Sequence, residues 1–393
     1  MAHTVPVAEA DVARAAVALR QDRPSWYVWS FLASTICAVL GVSWDISWHM
    51  SIGRDTFWSP PHLLIYTSGL LAGLTAAWVI LGATFQRDTS PRLSSVRIWG
   101  FQGPLGAFVA AWGALAMLTS APFDNWWHNA YGLDTKILSP PHLVLAFGLF
   151  AIRLGALLVS VSEMNRASGL LRQQLTGVVL LLGGTVMGIA VGTFLELLSR
   201  NFMHSARFYL VLACTAPVVL ASIRQVTGHP WAATIVAGVF SSFQLALLWI
   251  LPLFPAEPKL GPVYWPVTHF IPAPFPVLVV VPAVAADLLR RRFPDASWRY
   301  ALLAGPLFVF TLLAVQWPFA DFLNSPHARN WIFGAHYFPY FLSPVTDLAR
   351  GLYTQVETSN VQFIFRMFLA VACASLSTRL GLAWGSWLSR LRR

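Results

Sequence analysis

Two stretches of the sequence share one acid and two histidines at nearly the same spacing. The first motif reads D-x3-H-x12-H and the second D-x3-H-x13-H, and in both the last histidine follows Ser-Pro-Pro. A carboxylate and an imidazole four residues apart lie on the same face of a helix, and Pro-Pro suits the first turn of the next helix. Each motif therefore predicts two imidazoles and one carboxylate between two helices, as in a metal site. The six residues are Asp45, His49 and His62 in the first motif and Asp124, His128 and His142 in the second.

A further acid follows the first histidine of each motif by six residues, at Asp55 and Asp134. Outer carboxylates commonly hold a ligand imidazole by its other N–H and fix its tautomer. We therefore expect both acids, together with Arg54, outside the ligand set. Aromatic residues at the motifs are expected to restrict water around the metal, and these are Trp48, Phe57, Trp58, Trp126 and Trp127.

The ligand types favour copper. Imidazole with one carboxylate suits copper or zinc, and divalent copper binds most tightly of the first-row metals. A di-iron carboxylate site needs paired Glu-x-x-His motifs, and the sequence has none. Zinc remains the fallback. The alternative without a metal is that each acid pairs only with its own histidines and with loop backbone.

The composition is that of a membrane protein with many spans. Hydrophobic residues make up 56% of the 393 residues, charged residues only 11%, and the mean hydropathy is +0.61. We predict an all-α polytopic membrane protein with about ten transmembrane helices. The predicted spans are 26–44, 62–84, 98–120, 142–162, 175–198, 206–223, 231–252, 269–288, 300–318 and 361–388.

Lys and Arg concentrate in alternate loops, starting with the N-terminal segment 1–25. This bias predicts that both termini are cytoplasmic and that both motifs open on the outer side, which in a bacterial inner membrane is the periplasm. The formal net charge of +10 follows from this topology, so we expect membrane lipid as a partner and no nucleic acid.

The motifs also divide the chain. Two spans separate them, so the first four spans form a tandem repeat of a helix, a motif loop and a helix. We expect a four-helix domain at 26–165 and a six-helix domain at 170–393. Arg153 lies within the fourth span, and a charge there should face an acid, for which Asp134 and Glu163 are the candidates.

A long outer loop is predicted at 319–360. It combines His327 and His336 with aromatic residues, and loops of this length are commonly functional. It could cover the motifs as a lid, dock a partner chain or serve only as an interfacial anchor.

The motifs resemble those of a known family. Asp45, His49 and His62, with Arg54-Asp55-Thr56 between them, resemble the first copper motif in the C subunit of the copper membrane monooxygenases, the particulate methane and ammonia monooxygenase family. Asp124, His128 and His142 resemble that subunit's second copper motif, although Asn stands at the first position in a family member.

The second half resembles the family's A subunit. The similarity covers His229-Pro230-Trp231-Ala232-Ala233-Thr234 and the stretch from Tyr264 to Ala273, and it is fainter from Trp317 to His327. The resemblance implies a fusion of a C-like half and an A-like half. The chain departs from the family in three ways: additional N-terminal helices of the C subunit are not seen, Gln244 is the nearest polar residue where the A subunit has an acid, and no part resembles the cupredoxin domains of the B subunit.

The resemblance implies a copper-dependent monooxygenase that activates O2 to hydroxylate methane, a short hydrocarbon or ammonia. The six motif residues would then be both metal ligands and catalytic residues. Quinol is the implied electron donor, a cupredoxin-like B-type subunit is a possible partner, and a homo- or hetero-oligomer is expected. The alternatives are a copper-handling or transport protein without oxygenase activity, and a relic with a structural metal.

Overall fold

The structure, a computed structural model, describes residues 23–53, 55–85, 95–132, 139–198, 202–259, 267–272, 274–295, 297–334 and 356–392, with the backbone alone for 195–198. Nearly all regular structure in these residues is helical, and nine helices are long and apolar enough to cross a membrane. The prediction of an all-α polytopic membrane protein is confirmed. The helices are α1 Trp26–Ser51, α2 Pro60–Phe85, α3 Leu105–Tyr131, α4 Pro140–Arg166, α5 Gly169–Leu198, α6 Ala206–Thr227, α7 Ala232–Ile250, α8 Val280–Arg292, α9 Trp298–Leu323 and α10 Asn360–Leu388.

The eighth predicted span, 269–288, is not one continuous helix. Only α8 is helical there, and it has 13 residues. The sequence before it carries Pro272, Pro274 and Pro276, which cannot donate the backbone hydrogen bonds of a helix interior. The chain still crosses the bundle, because Ile271 contacts the end of α1 and Asp287 contacts the start of α7. An interrupted helix at membrane depth is tolerated where protein surrounds it.

The third predicted span, 98–120, begins later than expected. A short antiparallel hairpin, β1 (Val96–Ile98) and β2 (Phe101–Gly103), precedes α3. Its turn residues Trp99 and Gly100 both have positive φ values, 50° and 89°, which is the geometry of a tight hairpin turn. The helix therefore starts only at Leu105.

Both terminal helices reach the same end of the bundle. The backbone N–H of Ser25, just before α1, donates to Glu163 near the end of α4 at 3.5 Å. The Asn165 amide donates to the carbonyl of Leu388, the last residue of α10, at 2.7 Å. This agrees with the predicted placement of the two termini on one side.

The first four helices pack as two pairs, α1 with α2 and α3 with α4, and α2 contacts α3 between them. Each pair carries one motif, at the end of its first helix and the start of its second. The α3–α4 contact is very close because glycines face backbone across it. A Cβ added at Gly113 would lie 2.6 Å from Ile152 N, and one at Gly148 would lie 2.6 Å from Met117 N.

The second half is built around α6, most of whose residues are buried and which packs along α10. Two buried carboxylates from distant segments cap helix N-termini here. Glu357 accepts from the backbone N–H groups of Ala206 and Arg207 at the start of α6. Asp287 accepts from Ala233 and Thr234 at the start of α7. Both carboxylates satisfy helix N–H groups that have no partner within the helix.

The described part of the long loop lies on the second half. Helix α9 runs to Leu323, so the loop begins later than residue 319. Phe333 packs against Phe275 and Phe322, with ring centroids 5.5 and 4.8 Å away, and the Trp249 indole donates to Ile332 O at 3.0 Å. Residues 335–355, with His336, lie outside the described residues, so the lid and docking hypotheses stay predictions.

Candidate metal site

The first cluster consists of Asp45, His49, Asp55 and His62. Asp45 and His49 lie in the last two turns of α1, which continues to Ser51, beyond the predicted boundary of the first span. His62 lies in the first turn of α2, which begins with Pro60 and Pro61. The helical spacing predicted from the sequence is therefore observed, with both parts of the motif at one end of the α1–α2 pair.

The two imidazoles of the first cluster face two carboxylates. His62 Nε2 lies 2.6 Å from Asp55 Oδ2 and 3.3 Å from Asp45 Oδ1. His49 Nε2 lies 3.5 Å from Asp55 Oδ2 and 3.8 Å from Asp45 Oδ2. Asp45, His49 and Asp55 can each bring one ligand atom within 4.8 Å of the others. This is a compact group of potential ligands.

Asp55 differs from the sequence expectation. The sequence predicts that Asp55 holds the imidazole nitrogen that faces away from the metal. In the structure, Asp55 Oδ2 instead approaches the same Nε2 atoms as Asp45 does. His62 Nδ1 is buried without a hydrogen bond to any described residue. Burial alone would raise the pKa of the Asp55 carboxyl, but hydrogen bonds from His49 and His62 hold this pKa well below its usual range. Asp55 is therefore an ionised member of the cluster.

The second cluster consists of Asp124, His128 and His142. Asp124 and His128 lie in the last turns of α3, and His142 lies in the first turn of α4, where Ser139 accepts its backbone N–H at 3.5 Å. Asp124 Oδ2 lies 3.3 Å from His128 Nε2, and Asp124 Oδ1 lies 3.5 Å from His142 Nε2. The second motif thus also brings its Asp124 carboxylate next to both imidazoles, but among the described residues only the first cluster has three ligand atoms within 4.8 Å of one another.

Part of the outer set lies beyond the described residues. Arg54 and Asp134 are both outside them, so their expected roles stay predictions. His128 does have a partner for its far nitrogen, because Nδ1 lies 3.3 Å from the carbonyl oxygen of Gly132. This backbone carbonyl fixes the His128 ring so that Nε2 is directed at Asp124, as is common for metal-binding histidines.

The donor set fits a divalent transition metal. In each cluster one carboxylate oxygen is buried without a hydrogen bond, Asp45 Oδ1 in the first and Asp124 Oδ1 in the second. A buried polar oxygen without a hydrogen bond costs free energy, and a bound cation would offset that cost. Imidazole nitrogen and carboxylate oxygen are ligands of both copper and zinc, so the residues present do not distinguish the two metals.

The two clusters are close enough to influence each other. Helix α2, which carries His62, packs against α3, which carries Asp124 and His128. Helix α2 lies between the two motif loops and carries both His62 and Tyr66. The repeat therefore places two clusters around one helix end.

The expected aromatic surround is present only in part. Trp58 is 70% exposed and Trp126 54% exposed, which suits the bilayer interface. Trp48 instead packs against Phe270 of the second half, with ring centroids 6.2 Å apart. The Tyr66 ring lies next to the first cluster, 6.0 Å from the His62 ring, and no motif included this residue.

The second half contains another histidine–carboxylate pair. His204 Nε2 lies 3.2 Å from Asp321 Oδ1 and 3.2 Å from the Trp317 carbonyl oxygen. Asp321 is largely exposed, and two side chains alone do not make a metal site. The second half therefore has no cluster of three potential ligands among the described residues.

Comparisons with known proteins find no relative. No protein-family model, no curated protein and no solved structure matches the chain. The class that the fold and the site define is thus a polytopic helical membrane protein with two His/Asp clusters. A similarity to any particular family rests on the motifs alone.

Proposed function

We propose that the chain is a copper-dependent membrane monooxygenase, or a subunit of one, acting on methane, a short hydrocarbon or ammonia. The observation that supports this most is the repeated gathering of two imidazoles and a carboxylate at one end of an apolar helical bundle. Resemblance of the two motifs to the copper motifs of the family's C subunit gives the proposal its metal and its reaction.

The residues have distinct tasks in this proposal. His49 and His62 would hold the metal of the first cluster, and Asp45 and Asp55 would supply anionic oxygens. His128, His142 and Asp124 do the same in the second cluster. Bound copper would supply the reduction of O2, with one oxygen atom inserted into the substrate and the other released as water. The apolar ends of the surrounding helices would limit the access of water, which suppresses side reactions.

Electrons would come from quinol, and a cupredoxin-like chain remains the proposed partner. We place the protein in a bacterial inner membrane with the clusters on the periplasmic side, on the distribution of Lys and Arg. Small apolar substrates partition into the bilayer, so clusters at the end of a membrane bundle suit them.

A second candidate, copper handling without oxygenase activity, also has an observation in its favour. The His49 side chain is 48% exposed and that of His142 is 37% exposed, so both clusters could accept a metal ion from solvent. Such a protein would bind copper equally well but would not turn over a substrate.

One experiment separates the two candidates. The purified full chain, with any co-purifying partner, is loaded with copper, supplied with a quinol and candidate substrates under 18O2, and its products are analysed for the label. Labelled alcohol or hydroxylamine that is lost in the His62→Ala and His142→Ala variants supports the oxygenase. Copper binding without labelled product from any candidate substrate would favour copper handling. His327→Ala, which changes an exposed histidine outside both clusters, is the matched control.

A further inference from the structure

Tyr66 joins the two parts of the first cluster. It lies four residues after His62 on α2, one turn further along the same face. Its hydroxyl donates to the carbonyl oxygen of Phe57 at 3.0 Å. The Tyr66 ring also packs against Phe57, with centroids 5.4 Å apart, and lies 6.0 Å from the His62 ring. Tyr66 thus connects the helix that carries His62 with the loop that carries Asp55.

Backbone hydrogen bonds hold that loop at both ends, and at its start the Lys259 N–H donates to Ile52 O at 3.0 Å. The Thr56 backbone N–H donates to Ser59 Oγ at 2.7 Å, and the Ser59 N–H donates to Thr56 O at 3.0 Å. These bonds close a turn just before α2, and Tyr66 attaches the middle of the turn, Phe57, to the helix. Asp55 directly precedes this turn, so its approach to His62 depends on where the turn is held.

The second motif has no tyrosine at the position that corresponds to Tyr66. The position four residues after His142 is Ala146, which has no hydroxyl to hold a loop. The two halves of the repeat therefore differ at this position although their motifs match.

We propose that Tyr66 is a positioning residue that holds Asp55 in the first cluster and so makes it a site of two imidazoles and two carboxylates. This inference rests on the proposed metal-binding function. A second carboxylate is a hard anionic donor and favours a divalent over a monovalent ion. Tyr66 thereby favours the binding of divalent copper at the first cluster.

The test measures binding of Cu²⁺ to the full chain in lipid nanodiscs, with the second cluster disabled by His142→Ala. In this background Tyr66→Phe should weaken Cu²⁺ binding about two- to tenfold, the effect of losing one hydrogen bond. It should also move the Cu²⁺ EPR spectrum towards that of the Asp55→Asn chain. With the first cluster disabled by His62→Ala, Tyr66→Phe should leave Cu²⁺ binding unchanged.

Tyr209→Phe is the matched control. Tyr209 is also a helical tyrosine that donates to a backbone carbonyl, that of Met203, at 3.0 Å, but it lies in the second half. Its loss should leave Cu²⁺ binding and the EPR spectrum unchanged. Thermal unfolding of both variants verifies that they are folded.

A double-mutant cycle tests whether Tyr66 acts through Asp55. If it does, Tyr66→Phe should add little to the effect of Asp55→Asn, because interacting residues are not additive. Fully additive effects, or Cu²⁺ binding that Tyr66→Phe leaves unchanged, would overturn this inference alone. If the His142→Ala chain bound no copper, the proposed function of the first cluster would fail and this inference with it.

Discussion

Ser47 donates a hydrogen bond of 2.6 Å to the carbonyl oxygen of Ile271, although the two residues belong to different halves of the chain. Ile271 completes the link by donating its N–H to Ser51 Oγ at 2.7 Å. Ser47 lies between Asp45 and His49 on α1 but is fully buried. The helix end that carries two members of the first cluster is thus held from its opposite face by the second half.

Ser47→Ala should therefore weaken metal binding at the first cluster, because it removes a contact on the opposite face of α1. It leaves the Ile271 carbonyl buried without its donor, which costs about 1–3 kcal/mol. We expect a lower temperature of thermal unfolding and weaker copper binding at the first cluster. Ser43→Ala is the control, because Ser43 lies on the same helix and makes no hydrogen bond with a described residue. Equal effects of the two variants would show that the link does not support α1.

Gly148→Ala should disturb the second cluster by separating α3 from α4. The new Cβ would lie 2.6 Å from Met117 N and 2.8 Å from Gly113 O, both backbone atoms that cannot move alone. Overpacking of this kind costs about 1–3 kcal/mol, and small residues are what permits such close helix contact in membranes. We expect lower thermal stability and weaker metal binding at Asp124, His128 and His142.

The control for this prediction is Gly177→Ala in α5, where a Cβ would meet no atom within 4 Å. It should leave thermal stability and metal binding at the second cluster unchanged. Unchanged metal binding in the Gly148→Ala chain would show that the second cluster does not depend on the close contact between α3 and α4.

The sequence alone was sufficient to predict the helical class and the grouping of each motif. An i,i+4 spacing and a Pro-Pro start are local signals, so α1, α3 and the starts of α2 and α4 follow from them. The link from Ser47 to Ile271 has no such signal, because it joins residues 224 positions apart. The approach of Asp55 Oδ2 to His62 Nε2 also has no local signal, since the path of a loop depends on contacts such as that of Tyr66.

Arg153 is a buried charge whose expected acidic partner is not seen among the described residues. It is 3% exposed within α4, and its NH1 donates at 3.1 Å to Leu149 O of its own helix. The candidate Glu163 instead accepts from Ser25 N, so Arg153 has no acidic partner among the described residues. The other candidate, Asp134, lies outside them.

Replacing Arg153 by Met should therefore not destabilise the protein. A buried charge without a counter-charge costs desolvation energy, and an apolar side chain of similar length removes that cost. We expect thermal unfolding at the same or a higher temperature than in the unchanged protein. Arg366→Met, which breaks a 3.0 Å ion pair with Glu357, should lower the temperature of thermal unfolding. A clear loss of stability in the Arg153→Met chain would point to an anionic partner beyond the described residues.

Glu357 should make stability depend on pH. Its buried side chain accepts from Arg366 NH1 at 3.0 Å and from Ser205 Oγ at 2.9 Å. Burial alone would raise the pKa of the Glu357 carboxyl, but these hydrogen bonds hold the pKa below its ordinary value of 4.5. A lowered pKa stabilises the folded state at pH values above 4.5, and this contribution is lost as the pH falls through the folded-state pKa.

Glu357→Gln should accordingly cost about 3 kcal/mol at neutral pH, because it leaves Arg366 and the start of α6 without their anion. The difference in thermal unfolding between the two chains should shrink as the pH falls below 4.5, since Glu357 is then protonated in the unchanged protein too. Glu257→Gln, which neutralises an exposed carboxylate, should alter stability little at any pH. Both series are measured with a chelator present, so that metal loss from the clusters does not contribute. A difference that stays constant from pH 7 to below the carboxyl range would contradict the assignment, because an ionised Glu357 could not then be the source of the stabilisation.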